Sequence, residues 1–498
     1  MAPAAVKPSP ESRSHVRNTN GWNAQELSNN GNASRLFRSP TNLYSAAEGD
    51  VHDLIGVGFG PASLSIAIAL SDALQAQQEA GLGAASPKVR FLERQKTFKW
   101  HAGMLLPGAR MQISFIKDLA TLRDPCSYFT FLNYLKEHDR LIQFTNLSTF
   151  LPSRLEFDDY LRWAARHFDN VVTYGQQVES IHPRKLGGSP KYDSFEVVSR
   201  DLSTGETKTF LSRNVVIAAG GRPARPAIFP PYHERVLHSS EYQLRIDQVL
   251  PDKDKAYSIA IVGAGQSGAE VFNDLHSRYP NATTRLIFRD TALRPSDDSP
   301  FVNEVFDPEA VDTFFAQPED FRHHSLKRNK ATNYSVVRLE LIEKIYEDLY
   351  LQGLKQPDKT RWQHQILPSR EITAVAEDPV SHRMNLTLTR LEPLSNKSQE
   401  TMAFDAVVLA TGYRRDAHID MLRDCQSINA NKNGVWQPGR NYGLKLSPEA
   451  VEEGVGIWLQ GCNESTHGLS DSLLSILSTR SGEVVDSIFG RDLRLGVH

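Results

Sequence analysis

The stretch that decides the fold is Val51-His52-Asp53-Leu54-Ile55-Gly56-Val57-Gly58-Phe59-Gly60-Pro61, in which a short apolar run ends in a cluster of glycines. Apolar residues then recur from Leu64 to Leu70, which predicts a buried helix directly after the turn. Residues 75–88 are interpreted as a surface loop, and residues 89–93 as the next strand. A strand, a glycine turn and a helix in this order are typical of a dinucleotide-binding unit in an α/β fold.

The glycines of this cluster have separate expected tasks. Gly56 permits the tight turn, and Gly58 lets a pyrophosphate approach the start of the helix, where free N–H groups favour anions. Pro61 stands where the third glycine of GxGxxG is usual, and it suits the first helical turn. Glu93 ends the second strand and could hold a ribose hydroxyl. Its distance in sequence from Gly56 exceeds the usual value of about 20 residues, and the 75–88 loop accounts for the excess. Taken alone, the cluster is also compatible with an ordinary glycine turn.

A second unit of the same design begins with a strand at 257–262 and continues into Gly263-Ala264-Gly265-Gln266-Ser267-Gly268, a full GxGxxG. Its second strand, at 284–288, is followed by Arg289 rather than by an acid, and an arginine there accommodates a 2′-phosphate, so NADPH is favoured over NADH. The alternative is that Arg289 is a solvated surface residue, and Asp290 directly follows it. Two such units in one chain are much more specific than one, because flavin-dependent NADPH oxidases need both nucleotides.

Other patterns outline the rest of the chain. Residues 1–47 are rich in Ser, Asn, Pro and Arg and are expected to form a disordered tail. Ser153 with Glu156 predicts a helix start with a capping box. Residues 335–351 carry apolar side chains at helical spacing, which predicts a helix with one buried face. Strands are expected at 404–410 and 456–460, with a closing helix from about Leu473, so the first domain is predicted to be interrupted by the second.

Bulk composition excludes several function classes. Over 498 residues the net charge is -3, which indicates no nucleic-acid partner. Cys126, Cys425 and Cys462 are far apart and form no CxxC, which argues against a disulfide framework, a zinc site or a disulfide reductase and fits a reducing compartment. No apolar run approaches the roughly 20 residues of a membrane span. With no secretory or peroxisomal signal at either end, the expected location is the cytoplasm.

A third signal joins the two glycine loops, the run Asp405-Ala406-Val407-Val408-Leu409-Ala410-Thr411-Gly412-Tyr413. Alone it reads as a core strand. Four further segments accompany it: Met111-Gln112-Ile113-Ser114-Phe115-Ile116-Lys117-Asp118-Leu119, Phe301-Val302-Asn303-Glu304, Ala331-Thr332-Asn333-Tyr334-Ser335 and Thr466-His467-Gly468-Leu469-Ser470-Asp471. Over about residues 50 to 490 the chain resembles the fungal L-ornithine N5-monooxygenases of siderophore biosynthesis, which are flavin-dependent N-hydroxylating monooxygenases.

The resemblance implies an α/β fold with two Rossmann-like dinucleotide-binding domains, the NADPH domain being inserted in the FAD domain, plus a small substrate-binding region. On this basis residues 48–250 are the first part of the FAD domain. Residues 251–404 are the NADPH domain, with a helical substrate-binding segment around 300–352. Residues 405–498 complete the FAD domain and the substrate site.

The resemblance also implies the site residues. Lys117 would bind the ornithine carboxylate, Asn303 and Asn333 the α-amino end, and the Leu473 carbonyl and Ser475 hydroxyl the side-chain amine. Residues predicted to bind FAD are Gly56, Gly58, Gly60, Pro61, Glu93, Trp100, Met111 and Gln112. Residues predicted to bind NADPH are Gly263, Gly265, Gln266, Ser267, Gly268 and Arg289. Without the resemblance, Lys117 would read as a solvated charge and the asparagines as cap or turn residues. The adjacent His323 and His324 lie in a polar segment, and no metal is predicted.

The implied reaction uses NADPH to reduce FAD, and dioxygen to give a flavin hydroperoxide whose distal oxygen passes to the neutral side-chain amine of L-ornithine. This would be the first step of hydroxamate siderophore biosynthesis, and the family resemblance suggests a homotetramer. Two alternatives stay open. A lysine N6-hydroxylase differs by one methylene in the pocket, worth only about 1–3 kcal/mol. The second alternative is a non-catalytic protein that binds nucleotides with the same glycine loops but forms no hydroxylated product.

Overall fold

The computed structural model describes residues 41–47, 49–82, 86–391 and 398–493. Most of the predicted disordered tail, residues 1–40, lies outside the described residues. Residues 41–46 differ from that prediction because they pack against the first sheet. Leu43 is fully buried, and the Tyr44 carbonyl accepts a hydrogen bond from the Val89 N–H at 2.8 Å. The ordered chain therefore begins before the predicted boundary at 47.

The strands, numbered in chain order, are β1 (Val51–Val57), β2 (Val89–Glu93), β3 (Val172–Tyr174), β4 (Gln176–Arg184), β5 (Ser194–Asp201), β6 (Thr207–Ile217), β7 (Arg222–Pro223), β8 (Val236–His238), β9 (Ser258–Val262), β10 (Thr283–Ile287), β11 (Arg294–Pro295), β12 (Val336–Val337), β13 (His364–Leu367), β14 (Arg370–Glu377), β15 (Met384–Arg390), β16 (Gln399–Phe404), β17 (Ala406–Leu409), β18 (Tyr413–Arg414) and β19 (Gly456–Leu459).

The α-helices are α1 (Pro61–Glu79), α2 (Phe131–Glu137), α3 (Leu141–Asn146), α4 (Arg154–Arg166), α5 (Tyr242–Val249), α6 (Gln266–Arg278), α7 (Pro300–Asn303), α8 (Ala310–Ala316), α9 (Glu319–Asn329), α10 (Leu339–Lys355), α11 (Ala417–Met421), α12 (Glu464–His467) and α13 (Leu477–Leu493). Short 3₁₀ turns connect several of them. No helix among the described residues is long and apolar enough to cross a membrane.

The first sheet has the order β3-β2-β1-β6-β5-β4, with β19 joining β6. Strand β1 pairs in parallel with β2 and β6, and β19 pairs in parallel with β6. Leu54 and Ile55 at the centre of β1 are fully buried, as expected of a parallel strand covered on both faces. Helix α1 packs against α13 over this sheet, so the last helix returns to the first domain.

The second sheet has the order β13-β10-β9-β17-β8, and all of its pairings are parallel. It lies in sequence between β6 and β19 of the first sheet. Its membership corrects the predicted boundaries, because β8 falls inside 48–250 and β17 falls inside 405–498, yet both belong here. A buried strand such as β17 is apolar throughout, and that pattern carries no information about which sheet it joins.

The predicted loop at 75–88 is wrong for its first residues, since α1 continues to Glu79. Residues 75–79 are good helix formers, and Gln75 Nε2 donates to Glu79 Oε1 one turn later at 2.9 Å. The N-cap predicted at Ser153 is confirmed, because its side chain accepts the Glu156 N–H at 3.1 Å. The reciprocal bond of a capping box does not appear at this helix start.

The helix predicted for 335–351 starts later and is more exposed than expected. Ser335 has a φ of 59°, and residues 336–337 pair with β11 before α10 begins. Within α10 only Ile345 is fully buried. Leu339 is 53% and Tyr346 74% exposed, so the single buried face predicted from the spacing is wrong at these two positions.

Candidate active site

The first glycine loop turns at Gly58, not at Gly56. Gly56 lies within β1, where a Cβ would come 2.2 Å from the ring of Phe91, so its missing side chain serves packing inside the sheet. Gly58 has a φ of +89° and its N–H donates to the Leu92 carbonyl at 2.8 Å. A Cβ at Gly58 would come 2.7 Å from the carbonyl oxygen of Ala218. Gly58 is therefore required by its own backbone, whatever approaches from outside.

Gly60 is the position that leaves room for a ligand. It is the N-cap of α1, and a Cβ placed on it would meet no atom within 4 Å. Pro61 follows as the first helical residue, as predicted. Because the first N–H groups of α1 point outward from this end, an anion could approach here. The close approach predicted for Gly58 fits Gly60 instead.

The second glycine loop repeats this geometry. Gly263 has a φ of +130°, and a Cβ there would come 2.3 Å from the Ala410 carbonyl oxygen. Gly265 is the N-cap of α6, and its nearest neighbour would be Ser335 Cα at 3.6 Å from an added Cβ. Gly268 packs so tightly that a Cβ would lie 2.3 Å from the Gly263 carbonyl oxygen. Gly263 and Gly268 are therefore required by the surrounding backbone, whereas a Cβ on Gly265 would make only ordinary van der Waals contact.

When the N-cap glycines of the two loops are matched, the first glycine motif begins two residues later in the chain than predicted. Gly58 matches Gly263, since their N–H groups donate to the equivalent strand carbonyls of Leu92 and Ile287 at 2.8 and 3.0 Å. Gly60 then matches Gly265, and the third glycine position falls on Ser63 rather than on Pro61. Ser63 is fully buried, and its Oγ has no hydrogen-bond partner among the described residues.

The residues after the second strand of each unit differ in chemistry. Glu93 is buried and its carboxylate is already engaged, with Oε2 accepting from Phe59 N–H and Oε1 from Gln95 N–H, both at 2.7 Å. Arg289 is exposed. In the described part of the chain no carboxylate forms an ion pair with Arg289. The neighbouring Asp290 instead accepts a hydrogen bond from the Thr291 N–H at 2.6 Å and lies 3.4 Å from Arg294.

The residues predicted beside the flavin come from the segment after β2. Met111 is buried, and its N–H donates to the Pro152 carbonyl at 3.0 Å. Trp100 is half-buried with its ring 6.0 Å from that of Phe157, and Gln112 is exposed. His101, not predicted from sequence, has a φ of 43°. Its side chain keeps access to solvent, and its pKa is lowered to about 4, first by desolvation and then by the charges of Arg154 and Arg415.

Lys117 lies where the segment after β2, predicted to border FAD, contacts the predicted substrate segment. Its Nζ is 4.0 Å from Asp307 Oδ1, and Asp307 follows the short turn that begins after Asn303. The next residue, Asp118, is buried and accepts hydrogen bonds from the N–H groups of Ala120, Thr121 and Phe131 at 2.9, 2.6 and 2.7 Å. Asp118 therefore holds the turn that carries Lys117, a positioning role that the sequence did not reveal.

The other predicted substrate residues lie on three segments. Asn303 is half-buried, with its amide bonded to the Asp298 carbonyl at 2.8 Å. Asn333 precedes Tyr334, whose hydroxyl bonds Glu464, so this segment contacts the start of α12. Ser475 is buried and its Oγ has no partner among the described residues, while Leu473 is half-buried.

Gln266 and Ser267 begin α6, but the Gln266 amide is already occupied. Its Oε1 accepts from the Arg338 N–H and its Nε2 donates to Glu270 Oε1, both at 2.9 Å. Glu270 in turn accepts two bonds from Arg154 of α4, at 2.9 and 2.8 Å. This ion pair joins α4, which packs against α1, to α6, which packs against β9 and β10 of the second sheet. It escaped the sequence analysis because Arg154 and Glu270 are far apart in the chain.

Two glycine loops at the edges of parallel sheets in a mixed α/β fold are typical of enzymes that use nucleotide cofactors. Comparison with known proteins specifies the family. The profile of the L-lysine 6-monooxygenase/L-ornithine 5-monooxygenase family matches residues 50–415. The chain belongs to this family.

Individual relatives cover nearly the whole chain. An L-ornithine N(5)-monooxygenase of Emericella nidulans is 55% identical over 451 residues, which is 89% of this chain and 90% of the relative. Among solved structures, the ornithine hydroxylase of Pseudomonas aeruginosa is 37% identical with a TM-score of 0.79, over 89% of this chain and 100% of that one. The ornithine N-hydroxylase of Kutzneria, solved with reduced FAD, NADP⁺ and L-ornithine, is 35% identical with a TM-score of 0.77, over the same shares.

Proposed function

We propose that this protein hydroxylates the N5 amine of L-ornithine with NADPH, FAD and dioxygen, as the opening reaction of hydroxamate siderophore synthesis. The observation that carries the proposal is the pair of matched glycine loops, each ending in an N-cap glycine at the start of a helix. These loops serve two Rossmann-like domains, the second inserted in the first. The names of the relatives support ornithine as the substrate.

The residues fit both cofactors. Gly60 and the start of α1 would receive the FAD pyrophosphate, while Trp100, Met111 and Gln112 border the place of its ring. Glu93 can still offer a lone pair to a ribose hydroxyl, although it already holds Phe59 N–H. Gly265 and the start of α6 would receive the NADPH pyrophosphate, with Arg289 free for the 2′-phosphate. When bound, these groups supply hydride transfer and the activation of dioxygen.

The chain's own part is to hold and orient the amino acid. Lys117 would bind the carboxylate and so set how far the side-chain amine reaches, while Asn303 and Asn333 would hold the α-amino end. The Leu473 carbonyl and the unpartnered Ser475 Oγ would meet the terminal amine. An alkylammonium has a pKa of about 10.4, so the site must favour the neutral amine. Ser475 Oγ and the Leu473 carbonyl can both accept a hydrogen bond from it.

The test removes the carboxylate anchor. Lys117→Ala should retain FAD and its reduction by NADPH, but ornithine hydroxylation should fall by about 100-fold, because an amine misplaced by about 1 Å loses that much rate. Hydrogen peroxide should rise in compensation. Asp307→Asn is the matched control, since it removes the facing carboxylate and should leave or improve the KM for ornithine. NADPH oxidised, peroxide and hydroxylated product are measured together.

The same assay compares ornithine, lysine and no amino acid. Product with lysine but not ornithine would replace the proposal with the lysine hydroxylase. NADPH oxidation without any hydroxylated product, in the wild type, would favour a nucleotide-binding protein without this activity. An unchanged KM for ornithine in Lys117→Ala would show that the pocket lies elsewhere.

We also propose that the enzyme is a cytoplasmic homotetramer. Leu339, Tyr346, Tyr350 and Leu354 share one face of α10, and each is at least 53% exposed. A run of large apolar side chains in water is unusual for a monomer and fits contact with a second copy. The free thiols Cys126, Cys425 and Cys462 fit a reducing compartment. Light scattering on the purified protein measures the mass, and a monomer mass would overturn the tetramer.

A further inference from the structure

Residues 410–415 run from one glycine loop toward the other. At the start of this segment, the Ala410 N–H donates to the Val262 carbonyl at 2.8 Å. The Ala410 carbonyl oxygen packs against Gly263 of the second loop. Further along, the ring of Tyr413 is 5.8 Å from that of His101, which follows Trp100. The segment therefore connects the second loop with the residues predicted beside the flavin.

Arg415 ends this segment without a counter-charge. It is half-buried, and Nη1 donates to the Gly461 carbonyl at 3.3 Å. Among the described residues, no carboxylate pairs with it. The preceding Arg414 differs, because it is exposed and lies 3.9 Å from Asp416. A cation partly removed from water with no anion beside it is costly, so such a site normally serves a charged partner.

The surroundings of Arg415 show which space its charge faces. His101 comes from the segment after β2, Tyr334 from the substrate segment and Cys462 from the loop after β19. Burial is the largest influence on all three, lowering the pKa of His101 and raising those of Tyr334 and Cys462, and the nearby charge of Arg415 acts on each in the lowering direction. The guanidinium thus sits where the flavin-side segment, the substrate segment and the C-terminal loop converge.

We propose that Arg415 binds the pyrophosphate of NADPH and thereby holds the nicotinamide end of the cofactor toward the flavin. The inference rests on the proposed function. Under the proposed function, Arg289 and Lys117 take the 2′-phosphate and the ornithine carboxylate, which leaves the two pyrophosphates without a cation. The segment that ends at Arg415 starts against Gly263 of the second loop, which assigns Arg415 to the NADPH pyrophosphate rather than to that of FAD. At the NADPH pyrophosphate, the α6 N-terminus supplies N–H groups but no full positive charge.

The pyrophosphate is common to NADPH and NADH, which separates Arg415 from Arg289. Isothermal titration of NADP⁺ and of NAD⁺ into FAD-loaded protein measures this directly. Arg415→Met should weaken both by roughly tenfold to hundredfold, the loss expected for one charge-assisted contact. The salt dependence of NADP⁺ binding should become shallower. Arg414→Met, the matched control, should change neither affinity.

Arg415→Lys retains the charge but not the paired donors, so its affinities should lie between those of wild type and Arg415→Met. Unchanged binding of both nucleotides in Arg415→Met overturns the inference, and so does a loss confined to NADP⁺, which would make Arg415 a 2′-phosphate ligand. If Arg415→Met fails to retain FAD, the test uses Arg415→Lys instead. Wild-type affinity of Arg415→Lys for both nucleotides would then overturn the inference. Wild-type protein that binds neither nucleotide would instead refute the proposed function.

Discussion

The two glycine loops have the same backbone but are held in place by different partners. In the first, Glu93 of the same domain accepts the Phe59 N–H at 2.7 Å. In the second, the residue equivalent to Glu93 is Phe288, and the support comes from residues 335–338, through Ser335 beside Gly265 and the Arg338 N–H on Gln266. The first loop is thus held by a residue of its own sheet, whereas the second loop depends on a segment outside its sheet that also carries Asn333.

The third glycine position extends this comparison. Gly268 cannot carry a side chain because α6 lies against the Gly263 carbonyl, whereas α1 accepts Ser63 at the same place. Close packing therefore requires a glycine at this position in the second unit only.

The largest effect should follow from a methyl group at the turning glycines. Gly58→Ala and Gly263→Ala each force a positive φ on alanine and drive its Cβ to 2.7 and 2.3 Å from a backbone oxygen. We expect a loss of several kcal/mol in folding free energy and little soluble protein for both. Thermal unfolding of the purified variants measures this. A stable Gly58→Ala that lacks only FAD would restore the role first expected for Gly58.

The N-cap glycines should separate binding from folding. Gly60→Ala and Gly265→Ala meet no atom closer than 3.6 Å, so each should fold with a cost of about 1 kcal/mol from the poorer cap. We expect Gly60→Ala to lose FAD and Gly265→Ala to lose NADP⁺ affinity, each by about 100-fold, because the methyl group occupies the place of a phosphate. Flavin absorbance and NADP⁺ titration measure the two losses. Crossed losses would mean that the cofactors are assigned to the wrong loops.

A smaller, selective effect is expected at the end of the second strand. Arg289→Ala should weaken NADPH by about 1.5–3 kcal/mol, or roughly tenfold to hundredfold, with little change for NADH. Steady-state KM values for the two nucleotides provide the measurement. Equal penalties would assign Arg289 to the structure of the loop.

The smallest effect concerns acid stability, through a histidine pair in the second domain. The rings of His276 and His364 stack at 3.7 Å, and burial lowers their pKa values to about 4 and about 3. The unfolded chain binds protons near pH 6.5 and the folded chain does not, so stability is complete above that pH and declines as the pH falls toward 4. His276→Phe should recover about 1 kcal/mol at pH 5. Chemical denaturation at pH 5 and pH 8 tests this, and an equal response at both values would exclude the pair.

The local elements were predictable from sequence because they depend on neighbours in the chain. The β1–α1 and β9–α6 units, the N-cap at Ser153 and the presence of the last strand follow from apolar spacing, glycine conformation and capping preference. The resemblance supplied candidates such as Lys117 and Ser475, and their roles stay predictions. The glycine spacing placed the turn at Gly56, two residues before its position in the structure, because spacing alone could not show that β1 continues through Gly56.

The amino-acid sequence by itself determined that two strand–glycine–helix units exist, and it predicted that a strand after the second unit returns to the first. Only the tertiary structure decided that β8 and β17 join the second sheet, that Arg154 pairs with Glu270, and that Arg415 is left without a carboxylate. Strand pairing and burial of charge depend on which distant segments meet. A buried apolar strand or a single arginine looks the same in sequence whatever it meets.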